Sequence, residues 1–257
     1  MDWPFLEHDN KFESFPSVTI TSGSNNVKTG YFQITAATGF KYHGFWICLS
    51  GYLNTAFDIA IGAAGQEIII APNLCILCGN NGSDSFFVPI EIPAGTRIAA
   101  RAQQASASFN VSISLIGVGG DLRQSLQNCD TYGVNLSTTR GTQIDPGATA
   151  NQKGSWVEIS SSTSRVTRAL LLSLGNNQST SWLGWRVDIG IGGAGSEIVL
   201  IPDFNLQSNG GFSINVPSHY GPIYVNIAAG TRLAVRAQCT VNTTPARYFD
   251  IVLHCFY

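Results

Sequence analysis

Eight charged residues of this chain form two matched sets of four. Asp58, Glu67, Arg97 and Arg101 in the first half correspond to Asp188, Glu197, Arg232 and Arg236 in the second. Two kinds of chemistry suit such a set. A pair of carboxylates can do the acid–base work of glycoside hydrolysis when the two face each other across a cleft. Alternatively, arginines four apart on a strand project from one face, where a forked guanidinium meets a carboxylate on the neighbouring strand. The expected role is the second, ion pairs that pin strand register, with salt bridges between subunits as a further use. Asp58 with Glu67 and Asp188 with Glu197 are the carboxylate pairs to test for catalysis, and both are expected to be inactive. An enzyme needs one asymmetric site, whereas two copies that keep the same turns and charges point to architecture or binding.

The remaining constellations are weaker. Cys75 and Cys78 have zinc-like spacing, but the second copy carries Asn205 to Ser208 there, and a zinc site needs three or four protein ligands. The histidines at 8, 43, 219 and 254 are scattered, without an HExxH pair. Gly190-Ile-Gly-Gly-Ala-Gly195 matches a dinucleotide fingerprint superficially, yet it joins two strand-like runs and lacks the following helix that phosphate binding uses. No catalytic residue, metal or cofactor is expected. Trp182 and Trp185 flank a short turn, and exposed rings stack on pyranose faces, so these two are the candidates for glycan contact.

The elements that position these residues are duplicated with them. Asp58-Ile-Ala-Ile-Gly-Ala-Ala-Gly-Gln-Glu-Ile-Ile-Ile-Ala-Pro72 recurs as Asp188-Ile-Gly-Ile-Gly-Gly-Ala-Gly-Ser-Glu-Ile-Val-Leu-Ile-Pro202, and Ile92 to Gln103 recurs as Ile227 to Gln238. The apolar period is two, as in Phe109-Asn-Val-Ser-Ile-Ser-Leu and Phe249-Asp-Ile-Val-Leu-His-Cys-Phe, which predicts strands with one buried face. Gly-rich tips between them supply the positive-φ positions that hairpin turns demand. The chain therefore reads as all-β: two tandem antiparallel β-sandwich, jelly-roll-like domains from an internal duplication. The expected boundaries are an N-terminal arm over 1–16, a first sandwich over 17–117, a connector over 118–139 and a second sandwich over 140–257. Asp121 to Asn128 in the connector suggests one or two helical turns. The offset between copies grows from about 125 near Gly30 to 140 at Phe109, so insertions accumulate in the second copy's loops while the strands hold their pattern.

In the arm, Trp3, Phe5, Phe12 and Phe15 are aromatic anchors, and Pro4 and Pro16 block regular structure, which suits a segment laid across a partner. Of the 257 residues only 12% are charged, with Lys and Arg numbering 14 against 16 Asp and Glu. That balance gives no nucleic-acid footprint, and a surface so poor in charge suits one covered by other subunits. No run approaches the roughly 18 apolar residues of a membrane helix. The acidic start from Met1 lacks a secretory pattern, so synthesis in a cytoplasm is expected, with the six cysteines as buried thiols. The expected partners are copies of the chain itself and other proteins, without nucleic acid or membrane.

The two phrases Asp188 to Pro202 and Ile92 to Gln103 resemble segments of tailed-bacteriophage virion structural proteins built of duplicated β-sandwiches. The likeness covers both repeats, about 200 residues, and excludes the arm. It implies a non-enzymatic virion component assembled in the host cytoplasm, either a head decoration (cement) protein or a neck, tail or fibre module contacting capsid or tail subunits. The alternative it leaves open is a module of a head or tail fibre that binds a host glycan or receptor.

Overall fold

The alternation of Phe109 to Leu115 becomes a strand in which Phe109, Val111, Ile113 and Leu115 are buried and the residues between them face outward. The same logic builds the whole molecule. A computed structural model describes residues 11–22, 24–51, 54–77, 82–107, 109–120, 126–175, 182–208 and 219–257, and the described residues form eighteen strands and no helix. The first copy runs through β1 (Lys11–Ser14), β2 (Val18–Ser22), β3 (Phe32–Thr35), β4 (Gly44–Gly51), β5 (Thr55–Ile61), β6 (Ile68–Ile76), β7 (Gly82–Val88), β8 (Ile98–Gln104) and β9 (Phe109–Gly119). The second repeats it as β10 (Cys129–Tyr132), β11 (Thr142–Ile144), β12 (Val157–Ser160), β13 (Thr167–Gly175), β14 (Gly184–Ile191), β15 (Ile198–Gln207), β16 (His219–Ile227), β17 (Leu233–Cys239) and β18 (Phe249–Phe256).

Each copy is a sandwich of two antiparallel sheets. In the first copy the orders are β1-β9-β4-β7, with β2 also on β9, and β3-β8-β5-β6. In the second they are β10-β18-β13-β16, with β11 also on β18, and β12-β17-β14-β15. This interleaving of first, last and middle strands is jelly-roll topology, wound identically twice. The core of the first sandwich gathers Phe45, Phe57, Ile59, Leu74, Val111 and Ile113. The core of the second gathers Leu172, Trp185, Val187, Ile189, Phe249 and Ile251.

The boundaries differ from those expected. Residues 11–14 are not arm: they pair with β9 from Lys11↔Gly119 to Ser14↔Ile116. Residues 129–132 are not connector: they pair with β18 in the equivalent place. Both are four-residue edge strands, too short to show alternation in sequence. Of the segment expected to turn helically, residues 121–125 lie outside the described residues, and Leu126 forms a bridge with Ile90.

The two sandwiches share a contact with an apolar centre. The outward faces of β13 and β18 present Ala169, Leu171 and Phe256, which join the first sandwich's apolar cluster, while Val252 packs with Ala56, Cys75 and Leu77. At Gly175 the fit is closest, since a Cβ there would lie 1.8 Å from the Leu77 carbonyl oxygen.

Candidate functional site

Asp58 sits where β5 is bulged, with the pairing to β6 shifting between Phe57 and Ile59. The bulge turns the carboxylate into a pocket of donors. Oδ1 accepts from Lys28 Nζ at 2.9 Å and from the Asn73 N–H at 2.8 Å, and Oδ2 accepts from Arg101 Nε at 2.7 Å. Asn73 holds the left-handed backbone (φ 51°) that aims its N–H at the carboxylate. The Arg101 guanidinium lies 4.8 Å over the Tyr31 ring.

The second copy reproduces each contact. Asp188 accepts from Lys153 Nζ at 2.6 Å, from the Asp203 N–H at 2.9 Å and from Arg236 Nε at 2.8 Å. Asp203 has φ 48°, and Arg236 lies 4.6 Å over Trp156. Burial alone would raise the Asp188 pKa, but the Asp203 N–H, Lys153 and Arg236 together hold it below the ordinary carboxylate value. In the first copy, burial lowers the Lys28 pKa despite the neighbouring Asp58.

The second repeated pair lies at the hairpin tips. Arg97 donates from Nη1 to Glu67 Oε1 and to the Gly62 carbonyl, each at 3.0 Å, and from Nε to Gln33 Oε1 at 3.0 Å. Arg232 donates to Glu197 Oε1 at 2.9 Å, to the Gly192 carbonyl at 3.3 Å and to Glu158 Oε2 at 2.7 Å. Burial pushes the Glu67 and Glu197 carboxyls up, and backbone N–H groups with their arginines outweigh it, so both lie below the usual range.

All eight charges are thus brought together as four ion pairs, two per copy. Lys28 and Lys153 complete the sites and were not singled out in the sequence, although they match at the same offset of 125 as their neighbours. A general acid needs a raised pKa at neutral pH. Glu67, Asp188 and Glu197 are shifted in the other direction.

The aromatic candidates separate. Trp185 is 1% exposed, and its indole N–H donates to the Arg247 carbonyl at 2.7 Å, so its ring belongs to the core and offers no exposed face for stacking. Its side chain shares the inward face of β14 with Val187 and Ile189. Trp182 is 76% exposed. Of the arm residues, Trp3 and Phe5 lie outside the described residues, Phe12 is exposed on β1, and Phe15 packs partly buried against the first core. Cys78 also lies outside the described residues. Cys75 is buried, its thiol donates to the Asn73 carbonyl, and burial pushes its pKa up to about 12. No group of three or more His, Cys, Asp or Glu able to hold a metal occurs among the described residues.

An open cleft of about 300 Å³ in the second sandwich is lined by Asn151, Trp185, Arg186, Asn205, Gln207, Gln238 and Thr240 among others. The loops that follow β11 and β17 and the ends of β14 and β15 form its walls.

No protein-family model matches the chain, and no curated protein matches it. Among solved structures it is similar to PNGF-II, with a TM-score of 0.37 and 9% identity over 93% of this chain, and it spans 64% of the length of that protein. It is also similar to the PBSX exported protein XepA, with a TM-score of 0.25 and 8% identity over 94% of this chain and 86% of that one.

Proposed function

We propose that this chain is a non-enzymatic component of the exterior of a bacteriophage particle, assembled in the host cytoplasm and held by contacts with its own copies and with capsid, neck or tail subunits. The observation that carries the non-enzymatic reading is the engagement of the eight repeated charges in closed ion pairs in both copies. Carboxylates held below their ordinary pKa by fixed cations brace hairpins and do not donate protons to a leaving group. Two scaffolds joined through an apolar contact suit a subunit that presents surface. The resemblance carried by Asp188 to Pro202 and Ile92 to Gln103 supports the particle context, and the low charge of 12% suits a surface shared with neighbours.

The test is to purify particles on a density gradient and quantify peptides of this chain against the major capsid protein. A fixed ratio that survives high salt is the expected result. Recovery of the chain only in the soluble lysate overturns the reading. A variant lacking residues 1–10, which leaves β1 in place, is expected to fold and to incorporate less efficiently.

A further inference from the structure

The two sandwiches use one loop-end position in different ways. In the first, Asn26 and Gln103 form a clamp around a single hydroxyl. The Gln103 amide donates to Thr139 Oγ1 at 3.0 Å, and that hydroxyl donates onward to Asn26 Oδ1 at 2.7 Å. The same amide donates to the Leu136 carbonyl at 2.9 Å. The clamp therefore reads a hydroxyl in both its roles together with a nearby carbonyl, and its occupant is the loop between β10 and β11.

The second sandwich keeps the clamp and changes its surroundings. Asn151 stands where Asn26 does, with the same left-handed backbone (φ 61° and 52°) and the same anchor, its N–H donating to the Cys239 carbonyl as Asn26 donates to Gln104. Gln238 stands where Gln103 does. Three apolar neighbours, Ala56, Cys75 and Leu77, are replaced by Arg186, Asn205 and Gln207. All of these line the open cleft. Trp182, two residues ahead of Gly184 at the cleft wall, is largely exposed.

We propose that this cleft binds an N-acetylhexosamine-containing glycan. An N-acetylhexosamine sets an acetamido carbonyl beside a ring hydroxyl, which is the pair of groups the first clamp holds. Arg186, Asn205 and Gln207 add donors and acceptors for further hydroxyls, and Trp182 offers a ring face for a neighbouring sugar. A second copy of the chain cannot supply the occupant from its own loop, because Thr139 is fully buried against its own first sandwich. The loop between β1 and β2, equivalent in the first copy, spans only residues 15–17. The proposal concerns the isolated chain and does not depend on where it resides on a particle.

The experiment is titration calorimetry of the purified chain with chitotetraose and, as the control lacking acetamido groups, cellotetraose. Chitotetraose is expected to bind at least about tenfold more tightly. Gln238→Ala and Asn151→Gly, the glycine chosen to tolerate the positive φ, are each expected to weaken binding at least about tenfold while melting like the parent chain. Absence of chitotetraose binding, equal binding of the two sugars, or binding unchanged in whichever variant remains folded overturns the proposal. Incorporation into particles is scored separately, so failure of this site and failure of the virion assignment are distinguishable.

Discussion

His254 lies on β18 with both ring nitrogens engaged, Nδ1 with Thr131 Oγ1 at 2.9 Å and Nε2 with Ser173 Oγ at 2.8 Å. It is fully buried in the contact between sandwiches, and burial, with help from the nearby His219, lowers its pKa to about 3. In the unfolded chain a histidine titrates near 6.5, at about the ordinary value. Between those limits the unfolded state binds more protons, so stability is complete above about pH 6.5 and is lost as pH falls toward 3. The melting temperature is expected to hold from pH 8 to 7 and to decline from about pH 6 downward, before the depressed carboxyls of Asp188, Glu67 and Glu197 begin to protonate. His254→Asn is expected to flatten that decline; an unchanged slope in the variant assigns it to other groups. Repetition made the Asp58 and Arg101 class of residue legible in the sequence. It was silent on His254, whose first-copy counterpart is Ser114, and on His219, which meets Asp84 at 2.6 Å and the Cys75 carbonyl at 2.8 Å only across the fold. Trp185 was legible in principle, since Val187 and Ile189 continue its alternation inward.

The strands explain what each ion pair is for. Arg97 stands just before β8 and reaches both β3, through Gln33, and the β5–β6 hairpin tip, through Gly62 and Glu67. Arg232 does the same for β12 and the β14–β15 tip. Removing either guanidinium leaves a nearly buried carboxylate, with Glu67 and Glu197 side chains 8% and 4% exposed, and a turn carbonyl without its donor. Each Arg→Ala variant is expected to lose about 1–3 kcal/mol, read by urea denaturation. Arg232→Ala is expected to lose more, because Glu158 and Glu197 then face each other where the first copy has Gln33 and Glu67. Equal losses would mean that solvent screens the half-exposed Glu158. The long strands were readable from period two. β1 and β10 were not, since four residues with the burial run of Lys11 to Ser14, exposed but for one, carry no alternation.

Duplication alone would have made two equal sandwiches, yet β6 and β15, the same strand in each copy, differ in burial. β6 buries five of its nine residues and β15 one of its ten. The difference follows from what lies outside them. On the mating side, β6 offers Cys75 with Leu77 just beyond it, and the second sandwich answers with Ala169, Leu171, Val252 and Phe256. The equivalent outward positions on the free sides differ from these: Asn205 and Gln207 at one end are polar, and at the other Ser112 stands among Trp46, Cys48 and Ile116. A head-to-tail contact between like domains continues indefinitely unless its terminal faces are altered, and Arg186, Asn205 and Gln207 alter one of them where the mating side has Ala56, Cys75 and Leu77. It follows that the halves are complementary and not interchangeable. Expressed alone, a fragment covering 126–257 is expected to self-associate through its uncovered apolar face, a fragment covering 11–120 to do so less, and an equimolar mixture to form a one-to-one complex of the intact chain's mass in light scattering. Two stable monomers that ignore each other would show that the contact is held by the covalent connector alone, and the apolar pairing of Leu77 with Val252 would then lose its role in joining the sandwiches.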